Sequence, residues 1–186
     1  MKKMVLFAFV SAAVACSGST PTAPETFVVP LVSSSVRAGG PLSSTHLTGD
    51  HENPPNDSRG QGQAMLTLSE DGLSVSYKLI ASNIENVVQS HIHIGSPTVN
   101  GPIAVFLFGP VASGGGRHDG VLAEGTFTAA NLIGPMLGHP LSDFLAEIRA
   151  GNTYVNVHTN DGVAPANTGP GDFPGGEIRG QIGAKR

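Results

Sequence analysis

Tryptophan is absent from the 186 residues, tyrosine occurs twice and cysteine once. Aromatic residues make up only 5% of the chain, too few for a platform that stacks on sugars. Charge is scarce as well, at 13%, and the ten basic residues are outnumbered by fourteen acidic ones. This balance argues against nucleic acid or another polyanion as partner. No apolar run approaches the ~18 residues of a membrane-spanning helix, and no internal repeat is visible. G-x-S-x-G, Walker and H-E-x-x-H motifs are missing, and Gly114 to Gly116 leads into neither a lysine nor a helix. Acyl transfer, P-loop phosphate binding and zincin hydrolysis therefore lack their residues.

The single cysteine has its own explanation. Lys2 and Lys3 precede an apolar stretch, Met4 to Val10, and the small residues Ala13-Val14-Ala15 precede Cys16. Residues 1–15 read as a signal peptide, and the stretch resembles a bacterial lipoprotein signal, although Ala13 stands where leucine is more usual. That resemblance implies an exported protein, periplasmic or on the outer surface, anchored by lipid at Cys16. Plain secretory cleavage near the same point is the alternative. The leader holds two of the ten basic residues, so the mature chain has eight against fourteen acidic ones, a net charge of −6. No disulfide within the chain is possible, and metal or redox chemistry must rest on histidines and carboxylates. Residues 17–26, SGSTPTAPET, read as a tether. Residues 16–43 are expected to be tether and N-terminal extension, and 44–186 one folded domain.

Twenty-five glycines and fourteen prolines cut the remainder into short apolar segments. Strands are expected at 45–48, 63–69, 73–81, 87–94, 103–108, 121–127, 153–158 and 177–182. In the third, Leu73, Val75, Tyr77 and Leu79 alternate with Ser74, Ser76 and Lys78. One helix is expected at LSDFLAEIRAG, with Ser142 as N-cap, Leu141, Leu145 and Ile148 on one face and Gly151 as the stop. About eight strands with one short crossover helix imply an all-β chain, a Greek-key β-sandwich or barrel.

The segment QSHIHIGS, residues 89–96, places His91 and His93 on one face of a strand and Ile92 and Ile94 on the other. In YVNVHT, residues 154–159, Tyr154, Asn156 and His158 share one face and Val155 and Val157 the other. If the two strands are neighbours, His91, His93 and His158 form a three-imidazole metal site for copper or zinc. The alternative is a polar strand face that carries imidazoles for structural reasons. His51 is the first candidate for a fourth ligand, against a place in an exposed turn ahead of Pro54. Glu52 and Asn156 are candidates to orient a ligand imidazole, against anchoring a turn or bonding across strands. His118 and His139 read as surface groups, and His46 has no assigned role.

Several of these segments together resemble a known family. LTGDHENPP (47–55), GQGQAMLTL, SHIHIG, IAVFLF, IRAG, NTYVNVHT and PGGEIRGQI (174–182) follow the order and spacing of a CHRD (chordin-type) domain. The resemblance implies an extracellular β-sandwich without implying an enzyme. A fainter likeness is to Cu/Zn superoxide dismutase, a Greek-key β-sandwich whose copper is held by an H-x-H pair and by histidines on other strands. It matches His91 and His93 to the pair and His158 to a late-strand ligand. Residues 95–108 hold no His or Asp, so no zinc loop follows, and the long loop carries Asp161 and Asp172 where cationic steering would be needed. A copper-only site survives, with superoxide as the small-molecule substrate. Tyr154 is then a candidate proton source and Arg179 a candidate anion guide. A non-catalytic binding or adhesion module with structural or zinc-bound histidines, and a copper carrier, are the alternatives.

Overall fold

Eight strands form wherever short apolar or alternating segments lie between glycine and proline turns. The computed structural model describes residues 39–183. The chain divides into Met1–Ser34 and Ser35–Arg186, and the described residues lie in the second unit. The signal peptide, Cys16 and the tether fall outside the described residues.

The strands are β1 (Gly40–Thr48), β2 (Gln61–Leu68), β3 (Ser74–Glu85), β4 (Val87–Ile94), β5 (Ile103–Phe108), β6 (Arg117–Thr128), β7 (Thr153–Thr159) and β8 (Ile178–Ile182). All belong to one antiparallel sheet with the order β5-β4-β7-β8-β1-β2-β3-β6. The expected all-β class holds, as one curled, nearly closed barrel and not two stacked sheets. The two ends of the sheet approach each other: the Tyr77 hydroxyl of β3, the strand beside the end strand β6, donates to the Leu107 carbonyl of β5, the other end strand, at 2.8 Å.

The interior is filled by the apolar half of each alternating strand: Leu66 and Leu68, Val75 and Leu79, Ile92, Val155 and Val157, Ile178 and Ile182 are all buried. Leu73, expected on the apolar face of β3, lies in the turn ahead of the strand and is exposed. The segment from β6 to β7 crosses the barrel and contains α1 (Leu141–Ala150), which buries Leu141, Phe144, Leu145 and Ile148. Phe144 packs edge-on against Phe127 of β6, ring centroids 5.8 Å apart. Gly151 ends the helix in the left-handed region, φ 74°, as expected. The N-cap is Pro140, not Ser142, and no side chain caps that end. Proline's fixed φ lets the chain enter the helix two residues earlier, at Leu141, and Asp143 supplies negative charge to the first turn.

Candidate metal centre

β4, β7 and β8 lie side by side, so the register decides which side chains meet. His91 stands opposite Asn156, and Asn156 opposite Arg179; His93 stands opposite Tyr154, and Tyr154 opposite Gln181. These residues occupy the face away from the barrel interior. An outward face of this kind is normally wet, yet His91, His93, Tyr154, Asn156, His158 and Arg179 are all buried. Every residue of β7 is buried on both faces.

Three loops provide the cover, and they are tied to one another. Asn53 Nδ2 donates to Thr98 O (2.7 Å) and Asn100 Nδ2 to Asn53 O (2.5 Å). Asn56 Nδ2 donates to Glu177 O at 3.1 Å, and Ser58 Oγ to Glu177 Oε1 at 2.6 Å. Thr159 Oγ1 and the Gly171 N–H bond the other Glu177 oxygen, at 2.5 and 2.9 Å. Glu177 is thus a fully buried carboxylate with its acceptors used, the anchor of the covering loops.

Beneath this cover, ligand nitrogens of His91, His93 and His158 all lie within 4.8 Å of one another. Three nitrogens bonded to one ion at 2.0–2.1 Å stand about 3.4–3.6 Å apart, so the widest separation would close by up to about an ångström on binding. Hydrogen bonds fix the tautomers. His93 Nδ1 lies 2.8 Å from Gly101 O, and His158 Nδ1 lies 2.8 Å from Pro174 O. A carbonyl only accepts, so each Nδ1 carries the proton and each Nε2 keeps its lone pair. His158 Nε2 sits 3.2 Å from His91 Nδ1 and 3.1 Å from Asn156 Oδ1. The only donor among those two is His91 Nδ1–H, which leaves the His91 lone pair on Nε2. His91 Nε2 and His93 Nε2 are buried without a hydrogen-bond partner.

The electrostatics keep the cluster neutral. Burial, then the neighbouring His158 and His93, push His91 down to about 3. Burial is also the main cause that lowers His93 and His158, against the opposing bonds to the Gly101 and Pro174 carbonyls. Three neutral imidazoles are the protonation state a metal requires.

The remaining sequence candidates occupy different places. His51 is exposed in the 3-10 turn Gly49–His51 and is not among the converging ligands. Glu52 is buried, but the Nδ1 protons of His93 and His158 go to backbone carbonyls and not to its carboxylate. Burial pushes Glu52 up to about 7, against the pull of the Arg179 guanidinium, the Asn53 backbone N–H and the Asn156 amide. Asn156 stands beside His158 in the cluster. Tyr154 meets the centre with its ring, stacked parallel on His93 with centroids 4.7 Å apart, while its hydroxyl accepts the Gly101 N–H at 3.1 Å. Arg179 Cζ lies 3.3 Å from the Tyr154 ring centroid, and its nitrogens donate to Asn100 Oδ1, Ser96 O and Val99 O. It holds the 95–102 loop down and is 1% exposed. His118 belongs to β6, not to a loop, and His139 pairs with Asp143 at 3.0 Å on the surface. Asp172 is buried, with Oδ2 bonded to Thr168.

Phe106 of β5 lies in IAVFLF, an uninterrupted apolar run in which no residue stands out as part of a site. It packs edge-on against His91, centroids 4.5 Å apart, and is 42% exposed, the outer wall of the cluster. The register His91 opposite Phe106 carries that information, and it appears only once β4 and β5 are paired.

The sequence model of the CHRD domain matches residues 43–182, most of the chain. The protein belongs to the CHRD-domain family. No curated protein and no solved structure matches the chain. The match ends at Ile182, the last residue of β8, so this CHRD domain includes every element that builds and covers the histidine cluster.

Proposed function

We propose that this CHRD-domain protein is an exported copper-binding protein, with superoxide-dismutase-like turnover as its most concrete activity. The observation that carries the reading is the pair of buried, unpartnered acceptors, His91 Nε2 and His93 Nε2, beside His158. Leaving a buried acceptor unsatisfied costs about 1–3 kcal/mol, a poor use of three imidazoles unless an ion binds there. Three neutral nitrogens suit copper in both common oxidation states, and the Irving–Williams order places Cu(II) above Zn(II) wherever copper is available. Bound copper supplies one-electron chemistry, oxidising one superoxide and reducing another, whereas zinc in the same ligands supplies none.

The chain's own contribution is positional. The Gly101 and Pro174 carbonyls hold two rings in the ligating tautomer. Tyr154 braces His93, and Phe106 closes the side of His91. A carrier would bind copper with equal geometry and show no turnover, and a structural module would bind zinc or nothing.

Elemental analysis of the mature protein, expressed with its leader so that export takes place, decides the first step: about one copper per chain is expected, and its loss in His91→Ala and His158→Ala. Absence of copper, or full occupancy in both variants, overturns the reading. A superoxide assay in the presence of a chelator then separates turnover above that of released copper from a carrier's inertness.

A further inference from the structure

Two adjoining clefts lie outside the histidine cluster, and Glu52, Asn53 and Pro55 line both. The larger, about 520 Å³, has Glu52, Arg179 and Gln181 in its lining, with Pro55 and Pro97. The second, about 410 Å³, shares Glu52 and Pro55 and adds Phe173 and Gly176. Glu52 is 7% exposed, and its Oε1 has no hydrogen-bond partner. The ion pairs among the described residues are Lys78–Glu124, Arg117–Asp119 and His139–Asp143, so neither Glu52 nor Arg179 belongs to one. A buried carboxylate without a paired cation is costly.

The lining repeats the same deficit. Gln181 Nε2 donates to Gly95 O (2.8 Å) and Gly151 O (2.7 Å), which fixes the orientation of its amide. Its Oε1 is left buried and unpartnered. Arg179 spends its terminal nitrogens on Ser96 O, Val99 O and Asn100 Oδ1. Two acceptors of the lining therefore lack donors, and its one guanidinium is committed elsewhere. Asp50 adds a second carboxylate to the larger cleft.

We infer that these clefts bind a primary ammonium group carried on an alkyl stem, with Glu52 as its counter-ion. The ammonium supplies three donors and one positive charge. Pro55 and Pro97 give the larger cleft apolar surface that suits the methylene stem, and Phe173 adds apolar lining to the second. A divalent cation fits less well, because the groups of three or more ligating side chains among the described residues comprise only the histidine cluster. The ammonium has two possible sources, a free diamine or a lysine side chain of a peptide, and the test separates them.

Isothermal titration calorimetry of the mature protein at pH 8, after exhaustive chelation so that the copper reading is not involved, uses three probes. These are 1,5-diaminopentane, a capped Gly-Lys-Gly peptide and uncharged 1,5-pentanediol. One or both amines are expected to bind at least ten-fold more tightly than the diol, with the diamine alone marking a free amine and the peptide marking a protein partner. Glu52→Gln is expected to weaken amine binding at least ten-fold while the far-UV spectrum is kept. Thr98→Lys, which places an ammonium at the lining of the larger cleft, is expected to compete and abolish binding. No preference for amine over diol, or amine binding that survives in a folded Glu52→Gln or Thr98→Lys variant, overturns the site.

Discussion

His91 Nδ1 stands 3.2 Å from His158 Nε2, two imidazoles from strands β4 and β7 in direct contact beneath a closed cover. Neither ring can take a proton without placing a buried charge against its neighbour. This gives the metal-free protein a defined pH response. All three cluster pKa values are lowered in the folded state, so the unfolded chain binds more protons than the folded one below about 6.5. The stability contributed by neutral imidazoles is therefore complete above about pH 6.5 and is lost progressively as pH falls toward the folded values. For His91, pushed down to about 3, the loss between pH 6.5 and 5 is about 2 kcal/mol. Urea midpoints of the chelated protein at the two pH values check this, and His91→Phe is expected to flatten the dependence. An equal slope in that variant would refute the assignment.

Glu52 responds with the opposite sign. Its carboxyl is raised from 4.5 to about 7 by burial, so the unfolded chain ionises first. Its stability contribution is fully present below about pH 4.5 and is lost as pH rises through 7. Glu52→Gln is expected to stabilise the protein by about 1–3 kcal/mol at pH 8 and to have little effect at pH 4. Urea titrations of wild type and variant at both values give the comparison. A destabilised variant at pH 8 would show that the carboxylate is held by bonds stronger than its burial cost.

The limits of β4 and β5 were legible residue for residue, Val87–Ile94 and Ile103–Phe108, because β4 alternates through SHIHI and β5 is an uninterrupted apolar run, and both end at glycine or proline turns. The first residues of β1 and β6 were not. Gly40 to Ser44 and Arg117 to Gly120 have weak strand propensity, and pairing with β2 and β3 extends them. The three histidines were legible as a group because period two fixes which face a side chain takes, whatever the loops do. The cover was not, since Asn56, Ser58 and Glu177 meet across some 120 residues without any periodic signal. The same reason hides the fate of His51: an irregular turn carries no rule for where an imidazole points.

The two faces of β4 are expected to answer differently to truncation. Ile92 is fully buried in the barrel interior, between His91 and His93, which face away from it. Ile92→Ala removes core packing and leaves a cavity, so a loss of about 2–5 kcal/mol is expected, with little change in metal content when the folded protein is analysed. His93→Ala is expected to reverse the pattern, emptying the site while removing an unpartnered acceptor. Urea unfolding and elemental analysis of both variants test this, and equal metal loss in the two would mean that strand integrity, not ligation, holds the ion.

Gly176 lies at φ 134°, a backbone region that glycine favours, and a Cβ placed there would run into Glu52 Oε1. The glycine of PGGE and the acid of HENPP, at opposite ends of the domain, are thus one packing unit: the carboxylate occupies the space that a side chain at 176 would need. Gly176→Ala is expected to cost about 2 kcal/mol or more, combining backbone strain with displacement of Glu52. Glu52→Ala removes the obstructing carboxylate but leaves the strain. The double variant Glu52→Ala/Gly176→Ala is therefore expected to be more stable than the sum of the two single effects by about 1 kcal/mol. Additive urea midpoints would show that the glycine is required by its φ alone, and that the two motifs share a loop closure without sharing a contact.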